Sequence, residues 1–212
     1  MFTGLIECVG VIKRIASREN YLVIRIEPDA PFKNVSDGES IAVSGPCLTV
    51  VMHDDRSFTV EASQETLKLT TLSRLRPGSK INLERALQAD ARLGGHFVTG
   101  HIDGILTIKQ LRRVGQSLRA KVELPQPFVP YIVDKGSVAL DGISLTVVEV
   151  GKVDFAVNLI PETQARTTWG NLKVGDAVNV EFDLIGKYIA RFLETSRGSS
   201  ELNLDAIRRM GY

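Results

Sequence analysis

Charge of one sign is the first thing this sequence lacks. Its 26 Lys and Arg face 25 Asp and Glu, a formal net charge of +1. No basic field is left to neutralise phosphates, so nucleic acid is excluded as a principal partner. Aromatic residues make up only 6% of the chain, which removes the stacking platforms on which some barrels bind single strands. Cysteine occurs twice, as Cys8 and Cys47, far apart in sequence; that is no disulfide framework, and a reduced, cytoplasmic protein is expected. No apolar run approaches the roughly 18 residues of a membrane span. The opening MFTGLIECVGVIKR is interrupted by Glu7 and has no basic segment ahead of it, unlike a secretory signal. His96 and His101 are five residues apart, but His53 sits in a polar turn and the cysteines are not clustered, so no metal site is expected. Neither a Gly-x-x-x-x-Gly-Lys loop nor a Gly-x-Gly-x-x-Gly turn after a strand is present, and no nucleotide cofactor is expected either.

What is there is a repeat. Residues 40–84 lie on residues 137–181 without a gap, at a shift of 97, with 17 identities in 45 positions. Gly45, Leu48, Thr49 and Val50 recur as Gly142, Leu145, Thr146 and Val147, while Asn82 and Glu84 recur as Asn179 and Glu181. The head of each half matches one residue out of register, Thr3-Gly4-Leu5-Ile6-Glu7 against Thr99-Gly100-His101-Ile102-Asp103. The chain is thus a duplicated domain, residues 1–90 and 91–184, and any site in one half has a counterpart in the other.

Within each half, short β-branched and aliphatic runs such as Tyr21-Leu22-Val23-Ile24 and Phe58-Thr59-Val60 are cut by Asp, Asn, Gly and Pro. These are strand and turn signals. Their spacing gives around six strands per half, the content of a small closed barrel, so the fold class is all-β. Residues 89–95 read as the linker. After Asp183 the period changes: Leu184, Ile185, Tyr188, Ile189, Phe192 and Leu193 form one stripe of a helix with no partner helix in the sequence. The stripe packs either on its own barrel or against copies of itself. The helix is expected over 185–196, with Arg197-Gly198-Ser199-Ser200 ending it and 197–212 a loosely held tail.

Cys47, in Ser44-Gly45-Pro46-Cys47-Leu48-Thr49-Val50, and Ser144, in Asp141-Gly142-Ile143-Ser144-Leu145-Thr146-Val147, stand at the same point of the repeat. A lone cysteine beside apolar residues is commonly an inert buried thiol. Cys and Ser followed twice by Leu-Thr-Val instead suggest two pockets with similar walls and one polar atom each. His96 and His101 suit proton acceptance or hydrogen bonding, and for His96 a structural role is equally open. Asp183 suits the N-cap of the helix that follows it, a role that can coexist with chemistry.

Taken together, Met1-Phe2-Thr3-Gly4-Leu5-Ile6-Glu7, Cys47-Leu48-Thr49-Val50, Gly95-His96-Phe97-Val98-Thr99-Gly100-His101-Ile102-Asp103-Gly104, Asp141-Gly142-Ile143-Ser144-Leu145-Thr146-Val147 and Ile160-Pro161-Glu162-Thr163 resemble the riboflavin synthases of the trimeric alpha-chain type, over about residues 1 to 193. The sequence departs from that pattern at Ser44, where many members have Asn, and at Pro46. The resemblance implies two tandem six-stranded Greek-key barrels with a C-terminal helix that builds a homotrimer. It implies a dismutation of two 6,7-dimethyl-8-ribityllumazine molecules to riboflavin and 5-amino-6-ribitylamino-2,4-pyrimidinedione, without a cofactor, between the N-terminal barrel of one subunit and the C-terminal barrel of its neighbour. By resemblance, the first pocket is lined by Cys47-Leu48-Thr49, Glu61-Ala62-Ser63-Gln64-Glu65-Thr66 and Gly100-His101-Ile102. The second is lined by Gly4-Leu5-Ile6, Lys135, Ser144-Leu145-Thr146 and Asn158-Leu159-Ile160-Pro161-Glu162-Thr163. His101 is then a proton-transfer group, Cys47 lies near the acceptor carbon, and Ser144 and Asp183 serve the second pocket. A non-catalytic lumazine- or flavin-binding protein is the competing reading; it would need only one working pocket, whereas here the polar residues of both are present.

Overall fold

The computed structural model describes residues 1–30, 32 and 34–199. Of the tail expected at 197–212, residues 200–212 lie outside the described part, as do the side chains of 197–199.

Six strands form each half: β1 (Cys8–Arg18), β2 (Tyr21–Pro28), β3 (Ser40–Val43), β4 (Cys47–His53), β5 (Phe58–Ser63) and β6 (Lys80–Arg85), then β7 (Gly104–Val114), β8 (Ser117–Glu123), β9 (Ser137–Leu140), β10 (Ile143–Val150), β11 (Asp154–Leu159) and β12 (Ala177–Phe182). The first six close into a barrel in the order β1-β2-β5-β4-β3-β6. The second six repeat the same circuit with β7 in the place of β1. Closure removes the exposed sheet edges that would otherwise invite pairing with other chains. It needs bent strands, and irregularities in register fall at matching points of the halves, at Ile12/Arg14 and Ile108/Gln110 and again at Val50/Met52 and Val147/Glu149. Alternation then sorts the side chains. Phe58, Val60 and Ala62 of β5 fill the first core, while Thr59, Glu61 and Ser63 point outward.

Two short helices were not anticipated. The first, α1 (Gln64–Leu69), starts where the Ser63 hydroxyl accepts from the Thr66 amide, and the second, α2 (Pro161–Arg166), starts with proline at its first position. The C-terminal helix α3 runs Leu184–Ser199, beyond the end expected at 196. Gly198 costs a helix only about 1 kcal/mol, too little to stop it without a proline.

The halves are joined by a reciprocal seam. Phe2 and Val98 exchange backbone hydrogen bonds, 2.7 Å from Phe2 N to Val98 O and 3.2 Å in return. Both side chains are buried, with Ala42 and Ala139 against them. Asn82 donates to the Asp141 carbonyl at 3.0 Å and accepts from the Thr168 amide at 2.8 Å. Asn179 does the same in mirror order, donating to the Ser44 carbonyl at 2.8 Å and accepting from the Thr71 amide at 2.7 Å. All four bonds cross between halves.

One carboxylate sits at this seam. Asp141 accepts from the Asn179 amide at 2.9 Å and from the Trp169 indole at 2.8 Å. Burial outweighs those bonds and pushes its pKa up to about 6. A carboxyl protonated more readily folded than unfolded contributes stability that is fully present below the ordinary value of 3.8 and is lost as pH rises through about 6. Relative to Asp141→Asn, the protein should therefore lose on the order of 3 kcal/mol between pH ~3.5 and pH ~7. Trp169, the single tryptophan, should report the same titration in its emission, absent from the mutant. Urea unfolding across this range checks it, and a stability gap that does not vary with pH refutes it.

Candidate active site

The period of two that fills each core also builds the site on the outer wall. Leu48 and Val50 point into the first barrel, so Cys47 and Thr49 point out; Leu145 and Val147 point into the second, leaving Ser144 and Thr146 outside. Against each outward edge lies a segment from the other half. The Cys47 amide donates to the Gly100 carbonyl at 3.0 Å, and the Ser144 amide to the Gly4 carbonyl at 2.8 Å. These crossings require glycine twice over. Gly100 has φ +81° and a Cβ there would lie 2.4 Å from Cys47 Cβ; Gly4 has φ +76° and its Cβ would lie 2.5 Å from Ser144 Cβ. Each crossing segment is pinned to its own barrel by a glutamate. Glu84 accepts from Thr3 N, Thr3 Oγ1 and Gly4 N at 2.6, 2.7 and 3.0 Å, and Glu181 from Thr99 N, Thr99 Oγ1 and Gly100 N at 2.6, 2.7 and 2.8 Å. Burial raises the Glu84 pKa, opposed by these bonds.

The first site is an open cavity of about 230 Å³ that brings together Cys47, Glu65, Thr66, Gly100, His101 and Ile102. Pro46, Leu69 and Thr70 also line it and were missed. Thr66, Leu69 and Thr70 share one face only because α1 is helical, and Ser63 three residues before Thr66 was the signal for it. Other expected residues are placed differently. Leu48 and Ala62 belong to the barrel core, Ser63 caps α1, and Glu61, Gln64 and Thr49 are not part of the cavity wall.

The second site is covered by the linker. His96 Nδ1 lies 2.7 Å from Ser144 Oγ, and the His96 amide donates to Thr3 O at 3.2 Å. Gly95 passes so close that a Cβ would meet Thr3 O at 2.0 Å and Ser144 Oγ at 3.0 Å. Burial lowers the His96 pKa, against the pull of Asp183 and Glu181, and its buried Nε2 has no partner among the described residues. His96, whose role the sequence leaves open, thus lies against Ser144, and the paired glycines before it were the readable sign of that close approach. Asp183 caps α3, accepting from the Ile185 amide at 3.0 Å. Leu5 lies against Gly94, and Ile6 packs at the edge of the second core. Leu145 and Leu159 are in that core; Thr146, Asn158 and Ile160 are exposed, and Pro161, Glu162 and Thr163 open α2, where Glu162 pairs with Arg166. Lys135 is exposed at φ 64°. A larger hollow of about 490 Å³ under the linker is lined by Glu84 and Arg85, but Glu84 is spent on the crossing segment and Arg85 on Glu39, so it offers less chemistry. No group of three His, Cys, Asp or Glu side chains among the described residues could hold a metal ion, and no described helix is long and apolar enough to cross a membrane.

The lumazine binding domain family matches the chain twice, over residues 3–86 and 99–183. The riboflavin synthase of Actinobacillus pleuropneumoniae is 40% identical over 100% of both chains, and that of Brucella abortus is 42% identical over 92% of this chain and 98% of its own. This chain belongs to the riboflavin synthase family. The riboflavin synthase of Bacillus subtilis is 39% identical over 91% of this chain. Among solved structures, LumP complexed with 6,7-dimethyl-8-(1'-D-ribityl) lumazine superposes with a TM-score of 0.75 and LumP complexed with riboflavin with 0.78, each at 25% identity over 86% of this chain and 99% of the other. The two crossings are equivalent in backbone and differ in polar side chains, Cys47 against Ser144 and His101 against Leu5.

Gly100→Ala separates the two demands on that glycine. It should cost about 2–4 kcal/mol in urea unfolding, whereas Gly78→Ala, at φ +91° with nothing within 4 Å, should cost about 1 kcal/mol from backbone strain alone. Equal losses would mean that the contact with Cys47 carries no energy.

Proposed function

We propose that this protein catalyses, in the cytoplasm, the dismutation of two 6,7-dimethyl-8-ribityllumazine molecules to riboflavin and 5-amino-6-ribitylamino-2,4-pyrimidinedione, the last step of riboflavin biosynthesis. The observation that carries it is the pair of equivalent crossings, Gly100 on Cys47 and Gly4 on Ser144. A reaction whose donor and acceptor are the same compound needs two like sites with unlike side chains. The two products together contain every atom of the two substrates, so neither cofactor nor external oxidant is required.

Positioning is the largest contribution asked of the protein. Holding two reactants in register supplies on the order of 7 to 11 kcal/mol, whereas one general base gives about 10²- to 10⁴-fold. Backbone amides and the hydroxyls of Thr66 and Thr163 hold the polar edges of the ligand, and His101 and Ser144 move protons, Ser144 through its hydrogen bond to His96. Cys47 stands at the acceptor carbon and Asp183 beside His96.

The active species is a homotrimer with each site between neighbouring subunits. Two observations support this. The first cavity, about 230 Å³, is below the 300–1,000 Å³ range typical of ligand pockets, so a second surface must complete it. On α3, Ile185, Tyr188, Ile189, Phe192 and Leu193 are 51–71% exposed, an apolar face that a soluble protein covers by association.

Incubation with the lumazine alone should give riboflavin absorbance, undiminished by chelator; binding without product would favour the non-catalytic reading. His101→Ala and Asp183→Ala should lower kcat by about 10²-fold while changing ligand affinity less than ~3-fold, because His101 is one of nine residues lining the first cavity and Asp183 does not line it. Near-normal turnover in both would make Asp183 a helix cap and nothing more. Truncation after Asp183 should leave a monomer by sedimentation that binds lumazine and turns it over slowly; an active truncated trimer would remove α3 from the assembly.

A further inference from the structure

Helix α3 is tied to the first pocket through one ion pair. Lys187 Nζ lies 2.8 and 2.7 Å from the two carboxylate oxygens of Asp103, and both side chains are only about a quarter exposed, at 26% and 24%. Asp103 ends the crossing segment. Its amide donates to Val180 O at 2.9 Å, and its carboxylate accepts from the Phe182 amide at 2.8 Å. At the other end Gly100 is fixed by Glu181 and Cys47. Only His101 and Ile102 lie between these anchors, so the set of the anchor at Asp103 fixes where the imidazole stands over the cavity. The first half lacks this arrangement. Glu7, the counterpart of Asp103, keeps the backbone bond, accepting from Arg85 N at 2.7 Å, but the position matching Lys187 is Asp90 and the chain there runs into the linker instead of a helix.

We infer that Lys187 is a positioning residue for His101, its ion pair with Asp103 carrying the placement of α3 into the lip of the first pocket. The inference rests on His101 acting in that pocket, as proposed above. Lys187 lies about 200° around the helix from Ile185, opposite the exposed apolar face. A helix whose outer face is seated by a neighbouring subunit therefore holds its inner face, and with it Asp103, in one place. Exposed pairs contribute little stability; the work assigned to this one is order at His101.

The test uses the full-length protein, with histidine ring resonances and steady-state kinetics followed together in Lys187→Ala, Lys187→Arg and Asp103→Asn. Only three histidines are present, so the His101 signal is assigned by His101→Gln. Lys187→Ala and Asp103→Asn should shift and broaden the His101 signal and leave that of His53 in place. They should lower kcat about three- to tenfold with KM changed less than about twofold, and Lys187→Arg should restore both. Arg191→Ala, which breaks the exposed Arg191–Glu194 pair on the same helix, should do neither. A fall in melting temperature with the His101 resonance and kcat unmoved overturns the inference. The resonance decides it even if the lumazine proves not to be the substrate, so its failure and that of the proposed function are told apart.

Discussion

Two buried asparagines hold this molecule in its shape. Asn82 and Asn179, each fully inaccessible to solvent, hand one hydrogen bond to a carbonyl of the other half and take one from an amide there. An amide buried without partners costs about 1–3 kcal/mol per unmet group, so shifting the halves against each other with the seam still buried would cost several such terms at once. The reciprocity fixes the relative position of the barrels, which lets residues 1–6 and 97–102 cross. The Phe2–Val98 bridge sits between the crossings, with a phenylalanine of the kind whose truncation typically costs about 3–5 kcal/mol.

Function follows from what the duplication kept and what it changed. The backbone of both crossings, the glutamate pins and the seam asparagines are the same in the two halves. Cys47 against Ser144 and Leu5 against His101 are not. Nor is the cover: the first site is an open cavity, while the linker lays Gly95 and His96 on Ser144. On the proposed reading, like scaffolds with unlike side chains would give one compound two different environments, which is what a dismutation demands.

Much of this was legible in the sequence. A gapless repeat of short β-branched runs can hardly be anything but two small β domains, and strand alternation around Leu-Thr-Val already places residues 47 and 144 on an outer wall. The orphan stripe after Asp183 announced α3, and the shared motifs brought His101 to Cys47. What escaped has a common cause. The helices α1 and α2 are six residues each, too short for a helical period to show, so Leu69 and Thr70 were not placed in the cavity. Leu48 and Ala62 were assigned to the pocket with their neighbours, although alternation sends them into the core. The asparagine clamp and the contact between His96 and Ser144 join residues 48 or more apart, and no local pattern records such pairs.

The central claim is that the two halves stand or fall together across the seam. Trp169 reports only on the second half, whereas far-UV circular dichroism reports on both, so urea unfolding followed by the two probes in Asn179→Ala tests the claim most directly. The seam predicts coincident transitions in the unmutated protein and in the mutant, shifted together by about 1–3 kcal/mol. Two separate transitions, with only the second half moved by the mutation, would contradict it.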